Sequence, residues 1–256
     1  MTLSVIIITR NEAAVIARCL ASVSWADEII VLDSASTDGT TAIADKFNAK
    51  VTTTVDWPGF GAQKNRALDI ATGDWVLSLD ADEWITPQLR AEIERAIAMP
   101  DHLPAYRIPR LSSYCGRFMR HSGWWPDHVT RLFRRGVARF SDDRVHERLV
   151  VDGVVGTLRE PLSHEAIVDL GDALEKMNAY STAGAMMQFE RGKKASLAGA
   201  VGHGVWTFIR TYFLRAGFLD GREGFMLAVS NAEGAYYRYL KLMLLRENRK
   251  AVNGER

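Results

Sequence analysis

The 256-residue sequence predicts an α/β protein: a mostly parallel sheet with helices on both faces, a smaller mixed sheet after it, and a helical C-terminal extension. Three observations predict this class. Short apolar or β-branched runs recur four times in the first hundred residues, segments of helical period separate them, and three of the runs end in polar residues. In such sheets ligands gather beyond the carboxyl ends of the strands, so Thr9-Arg10-Asn11, Asp33 and Asp80-Ala81-Asp82 are expected to share one crevice.

Each element follows from its residues. Leu3–Thr9 (LSVIIIT) reads as a strand buried on both faces. A helix is expected next, with Thr9 and Glu12 at capping-box spacing. Glu28–Asp33 (EIIVLD) is the second strand, and STDGT supplies a turn and an N-cap before TAIADKF. KVTTTV is the third strand, and GFGAQKNRALDIA a helix closed by Gly73. DWVLSL is the fourth strand, and TPQLRAEIERAIAM a helix with Pro87 in its first turn. From Ala105 short β-like pieces (AYRIPR, TRLFRR, ERLVVDG) alternate with loops rich in Gly, Pro and Trp, and beyond Leu170 the chain reads as helical.

Charged residues make up 25% of the chain and the net charge is +1, which argues against disorder and against bulk nucleic-acid binding. The charge is segregated, however. Residues 1–106 hold 8 Lys and Arg against 15 Asp and Glu, while residues 107–148 hold ten Arg against four acids, so an acidic half that holds a cation and basic parts that meet anions are expected. Cys19 falls among helical apolar residues as a core thiol, and Cys115 lies far from it, so nothing requires an oxidising compartment. The chain enters a strand at once, so no signal peptide is expected, and no apolar run is long enough to span a membrane. A cytoplasmic protein is expected, at most peripheral on the inner membrane.

GDWVLSLDADEW poses the chemical question, because three acids crowd the end of a buried strand and each disfavours its neighbours' ionisation. Asp80 and Asp82 point to one side of an extended segment and can share Mg²⁺ or Mn²⁺, with phosphate oxygens and water completing the shell. A turn with a capping Asp is the alternative.

The stretches SVIIITRNEA, IIVLDSASTDGT and GFGAQKNRALDIATGDWVLSLDADE, in that order, resemble a family 2 glycosyltransferase of the GT-A fold. The resemblance implies an inverting sugar transferase using a nucleotide diphosphate sugar. By it, residues 1–104 form the nucleotide-sugar-binding half, 105–168 the acceptor-binding half, and 169–256 the helical extension. It also implies that Thr9, Asn11 and Glu12 lie by the nucleotide, and that Asp33 binds the base or ribose. Lys64 helps hold the base, with a solvated helix residue as the alternative, and Asp80, Ala81 and Asp82 manage the metal–diphosphate. One departure is Ser34, where many relatives carry a second acid.

Inversion needs a base for the acceptor hydroxyl. Asp127, Asp142, Asp143 and Glu147 are candidates; the resemblance puts Glu147 of VHE first and Asp127 second, against a structural ion pair for Glu147. It also offers His164 of LSHEA as a metal ligand. Trp124 and Trp125 can stack on sugar or fill a core. The C-terminal mix of aromatic and basic residues fits an anionic membrane surface, a helical cap or a dimer interface. Together with VHE and SH it resembles the lipopolysaccharide core glucosyltransferases within family 2. That implies glucose or a related hexose passing from a UDP-sugar to a lipopolysaccharide inner core or similar glycolipid. A polyprenyl-phosphate glycosyltransferase is the enzymatic rival, and a non-catalytic nucleotide-sugar or membrane-binding module the rival of another class.

Overall fold

The structure, a computed structural model, describes residues 1–99, 102–141 and 148–253, and the chain forms two compact units: residues 1–111 with 127–164, and residues 112–126 with 165–256. The first hundred residues give β1 (Leu3–Thr9), α1 (Ile16–Ser22), β2 (Glu28–Asp33), α2 (Thr40–Asp45), β3 (Lys50–Thr53), α3 (Phe60–Ile70), β4 (Trp75–Asp80), β5 (Glu83–Trp84) and α4 (Pro87–Ala98). Seven further strands follow: β6 (Ala105–Tyr114), β7 (Arg117–Phe118), β8 (Asp127–Arg134), β9 (Ala138–Phe140), β10 (Leu149–Val151), β11 (Val155–Thr157) and β12 (Leu162–Ile167).

The main sheet runs β3-β2-β1-β4-β8-β6-β12-β5. Its first four strands are parallel, and β8 joins β4 antiparallel with Leu77 opposite Leu132. The strands after Ala105 thus extend the parallel sheet, while β9 and β10 pair in a small antiparallel sheet of their own. The strand order switches at β1, with β2 and β3 on one side and β4 on the other, and that switch point is where an open α/β sheet offers its crevice.

β1 shows why the residues choose this arrangement. All seven are buried. Leu3, Val5 and Ile7 pack on one face with Ile16 and Leu20 of α1 and Leu89 and Ile93 of α4. Ile6 and Ile8 pack on the other with Ala67 and Leu68 of α3. A period of two in a continuous apolar run therefore feeds two cores at once.

Two local expectations differ from the structure. The Thr9–Glu12 capping box does not form: α1 starts at Ile16, with no side chain capping it. Thr9 is committed to β1, and its Oγ1 donates to Asp33 Oδ1 at 2.9 Å. Gly73 does not close α3, whose last residue is Ile70. Its value is close approach, since a Cβ there would sit 2.7 Å from the Ser4 nitrogen.

The second unit holds α5 (Leu170–Glu190), α6 (Leu197–Ile209) and α7 (Gly221–Asn253), with a π turn over Arg210–Leu214 and a 3₁₀ turn over Gly217–Asp220 joining the last two. Tyr114, Met119, Ala173 and Leu227 form its buried centre, with Trp124 packed against them. Asp220 ties the 112–126 segment to this unit: its carboxylate accepts from the Arg120 and His121 backbone N–H groups and lies 3.0 Å from His121 Nδ1.

Candidate active site at the strand ends

The carboxyl ends of β1, β2 and β4 lie side by side, Thr9 opposite Asp33 and Ile8 opposite Asp80. At the β2 end Asp33 is fully buried. It accepts from Thr9 Oγ1, from the Ser36 hydroxyl and from the Ser36 backbone N–H at 2.8 Å. Ser36 Oγ in turn accepts from the Asn11 N–H at 2.8 Å, and Asn11 Oδ1 accepts from the Thr37 N–H at 2.9 Å. The Glu12 N–H donates to Thr40 Oγ1 at 2.8 Å. These bonds join the loops after β1 and β2, and Asn11 takes a left-handed backbone (φ 59°) to do so. Asp33 therefore organises these loops, and Asn11 and Thr37 are exposed members of the network.

The β4 end carries the charge. Asp80 Oδ1 lies 3.0 Å from Lys64 Nζ, and Asp80 Oδ2 accepts a short hydrogen bond from Arg131 Nη2. Lys64 is 4% exposed on α3, which excludes the solvated-helix alternative. The same Arg131 Nη2 donates to Glu83 Oε1 at 2.6 Å, and Arg110 Nη1 approaches that oxygen at 3.5 Å. Glu83 Oε2 accepts from the Asp80 N–H at 3.0 Å and closes the turn. Burial by itself would raise the Asp80 carboxyl, but Arg131 and then Lys64 outweigh it and hold it well below the usual carboxylate range. Burial would lower the Arg131 guanidinium, and the charges of Asp80 and Glu83 push it above its ordinary value instead. The crowded acids are thus balanced by the chain's own cations.

Asp82 is turned to a different partner. Its Oδ2 lies 3.3 Å from His164 Nε2, because β12 pairs with β5 and sets His164 opposite Glu83. Ala81, between the two acids, is buried. Beneath the turn Cys19 Sγ lies 3.6 Å from the Asp80 carbonyl oxygen. Burial, followed by Glu83, Asp82 and Asp80, pushes its thiol well above the ordinary range, so it remains a neutral core residue.

A carboxylate oxygen and an imidazole nitrogen at 3.3 Å are a donor pair suited to Mn²⁺ or Mg²⁺. Among the described residues no cluster of three protein donors exists, so phosphate oxygens and water would have to fill the other positions. Both oxygens of Asp80 already face cations, which leaves Asp82 with His164 as the better fit for an ion. Arg131 Nε is buried without a hydrogen-bond partner, the kind of exception that clusters at functional sites.

The two candidate bases differ in what can be said of them. Asp127 Oδ2 accepts from Arg110 Nη2 at 2.7 Å and Nε at 3.0 Å, so one of its oxygens is engaged. Glu147, with Asp142, Asp143 and His146, lies outside the described residues. Sequence reasoning counted Glu83 among the crowded acids without giving it a role, and did not single out Arg131 or Arg110. The available signal was the run of arginines, from which no local pattern picks these two.

Comparisons with known proteins identify the family. The pattern of Glycosyl transferase family 2 matches residues 4–160. The chain is 34% identical over 264 residues to an uncharacterized glycosyltransferase of Rickettsia felis, covering 96% of this chain and 90% of that one. It is 31% identical over 258 residues to the lipopolysaccharide core biosynthesis glycosyltransferase LpsC of Rhizobium meliloti, covering 94% and 90%. Among solved structures it is similar to glucosyl-3-phosphoglycerate synthase from Mycobacterium tuberculosis in complex with Mn²⁺, UDP and glucosyl-3-phosphoglycerate. That match has 29% identity and a TM-score of 0.37, and spans 45% of this chain and 44% of that one. On the family match and the two full-length relatives, the chain belongs to glycosyl transferase family 2 and is a glycosyltransferase of the GT-A fold.

Proposed function

We propose that the protein is an inverting, metal-dependent hexosyltransferase. It moves glucose or a related hexose from a UDP-sugar to a lipopolysaccharide inner core or similar glycolipid. The observation that carries this reading is the pair of acids at the β4 end with separate partners: Asp80 between Lys64 and Arg131, Asp82 beside His164. Asp82 and His164 would hold Mg²⁺ or Mn²⁺, which when bound supplies positive charge to a departing diphosphate.

The remaining work falls to the chain's own groups. Asp80 seats Lys64 and Arg131, two preorganised cations for the diphosphate oxygens. Thr9 and Asn11, fixed through Asp33 and Ser36, and Glu12, fixed through Thr40, line the nucleotide side. Glu147 is the proposed base: it takes the proton as the acceptor oxygen bonds to the anomeric carbon and the bond to the diphosphate breaks. Asp127, held by Arg110, is second. Residues 1–104 supply the donor half and 105–168 the acceptor half. The helical extension rests on an anionic membrane surface, a role supported by the exposed apolar side chains of α6.

Calorimetry of UDP, GDP, ADP and dTDP, each with Mn²⁺ and with EDTA, tests the donor part. UDP is expected to bind with Mn²⁺, and Asp82→Asn to lose at least roughly tenfold of that affinity while the EDTA value stays put. Full metal-dependent binding by a folded Asp82→Asn protein would overturn the metal assignment. Glu147→Gln should bind UDP normally and transfer no sugar.

A further inference from the structure

We propose that the helical unit carries a second binding site, for a phosphorylated sugar group. A cavity of about 460 Å³ lies wholly inside that unit, within the range of small-molecule sites and larger than a lone phosphate requires. Four cationic side chains line it: Lys176 on α5, Arg210 and Arg215 in and after the π turn, and Arg238 on α7. Among the described residues no Asp or Glu lines it. Lys176 has a carboxylate neighbour, Asp172 at 3.1 Å. Among the described residues none of the three arginines pairs with an acid, and Arg238 instead faces the Tyr239 ring at 5.3 Å. Such a wall is balanced by an anion, and arginine forks match phosphate oxygens in pairs.

Two buried polar atoms strengthen the reading. Ser122 is 2% exposed and its Oγ has no hydrogen-bond partner; the Arg238 Nε is buried and unpartnered as well. Buried groups of this kind are normally satisfied, and both residues line the cavity. The backbone is shaped around the cations. Gly123 has a positive φ of 79°, and a Cβ there would stand 2.2 Å from Arg215 Nη1, so only glycine lets that arginine lie against the chain. The π turn carries Arg210 and Thr211 into the lining, and such turns recur at functional sites.

The rest of the wall suits a sugar. Tyr114 and Trp124 meet edge to face at 6.0 Å, Tyr180 stands open to solvent, and Thr207 and Asn231 offer hydrogen bonds to ring hydroxyls. Resting on the transferase reading above, the source of the group is the acceptor glycolipid.

The test uses the full chain without donor or metal. Trp124 supplies an intrinsic fluorescence signal for titration with glucose 6-phosphate, glucose and inorganic phosphate. A parallel arm measures co-sedimentation with phosphatidylcholine vesicles doped with phosphatidylinositol 4-phosphate, over the level reached with phosphatidylglycerol-doped vesicles of equal charge. Glucose 6-phosphate, the phosphatidylinositol 4-phosphate vesicles, or both are expected to bind, and Arg215→Gln and Arg238→Gln to weaken that binding at least roughly tenfold. Binding of the soluble probe assigns a free sugar phosphate, and binding of the vesicles alone a lipid-borne one. Arg210 is exposed, so Arg210→Gln serves if Arg238→Gln fails to fold. Failure of both probes, equal affinity for glucose or for phosphate alone, or binding indifferent to all three substitutions would overturn the site. A UDP titration of the same samples separates the two readings. UDP binding without sugar-phosphate binding sinks only this proposal, and the reverse sinks only the donor assignment.

Discussion

Arg131 is the residue on which the β4 end depends. It is 6% exposed, bonds Asp80 and Glu83 with one nitrogen, and leaves Glu83, which is fully buried, little other compensation. Removing one member of a buried ionic cluster strands the others, typically at about 3–5 kcal/mol. Arg131→Met is therefore expected to lower stability in urea by roughly 3 kcal/mol, and a second change, Glu83→Gln, to restore part of it. UDP affinity should stay low in the double variant, because the cation itself is missing. A singly substituted protein as stable as its parent would show that the cluster serves binding alone. The sequence disclosed the acids and their need for positive charge. It did not disclose Arg131, which reaches Asp80 only because β8 joins β4 antiparallel, with Leu132 opposite Leu77. That pairing spans over fifty residues, and no local period encodes it. His164 was legible as a candidate, yet its placement beside Asp82 also depends on a distant pairing, β12 with β5.

Among elements, the strands were the most legible, since β1, β2 and β4 are apolar runs bounded by polar residues; the structure reproduces the limits of the first two and shifts β4 by one residue, to Trp75–Asp80. Capping was less so. Thr86 caps α4 as a Ser/Thr before Pro should, its Oγ1 accepting from the Leu89 N–H at 3.2 Å. Thr9 had similar credentials and a stronger competing partner in Asp33. The opposite ends of the strands are joined by Glu28, which accepts from Ser4, Thr72 and Lys50 and so ties β1, β2, β3 and the turn before β4. Burial would raise its carboxyl, but the bonds from Lys50, Ser4 and Thr72 win and bring it from 4.5 down to about 2. A carboxyl depressed on folding stabilises the native state above its unfolded value and loses that contribution as acid protonates it. Stability should accordingly fall between pH 4.5 and about 2. Allowing for Lys50 lying largely in solvent, the loss assigned to Glu28 is about 2 kcal/mol. Glu28→Gln should be less stable at pH 7 and flatter through that window, as read by thermal melts at successive pH values. An unchanged slope would remove Glu28 from the account.

At the scale of the whole molecule the open question is what covers α6. Leu197, Val201, Val205 and Ile209 recur every fourth residue, and each is at least 38% exposed; Trp206, Phe213 and Leu214 are more than half exposed. A stripe at that spacing is one face of a helix, and in water it should be covered. Among the described residues no helix is long and apolar enough to cross a membrane, so the face can lie on a bilayer but not pass through it. Lys193 and Lys194 precede the stripe, as expected for contact with anionic headgroups. The protein should co-sediment with phosphatidylglycerol vesicles more than with phosphatidylcholine, and high salt should weaken the first more than the second. Val205→Asp with Ile209→Asp should abolish both, since each apolar side chain withheld from the interface forfeits about 1.5–3 kcal/mol. The same pair of substitutions decides against the rival. If the parent sediments as a dimer that the variant dissolves, and vesicles retain neither, then the stripe is covered by a second copy of the chain and not by a bilayer.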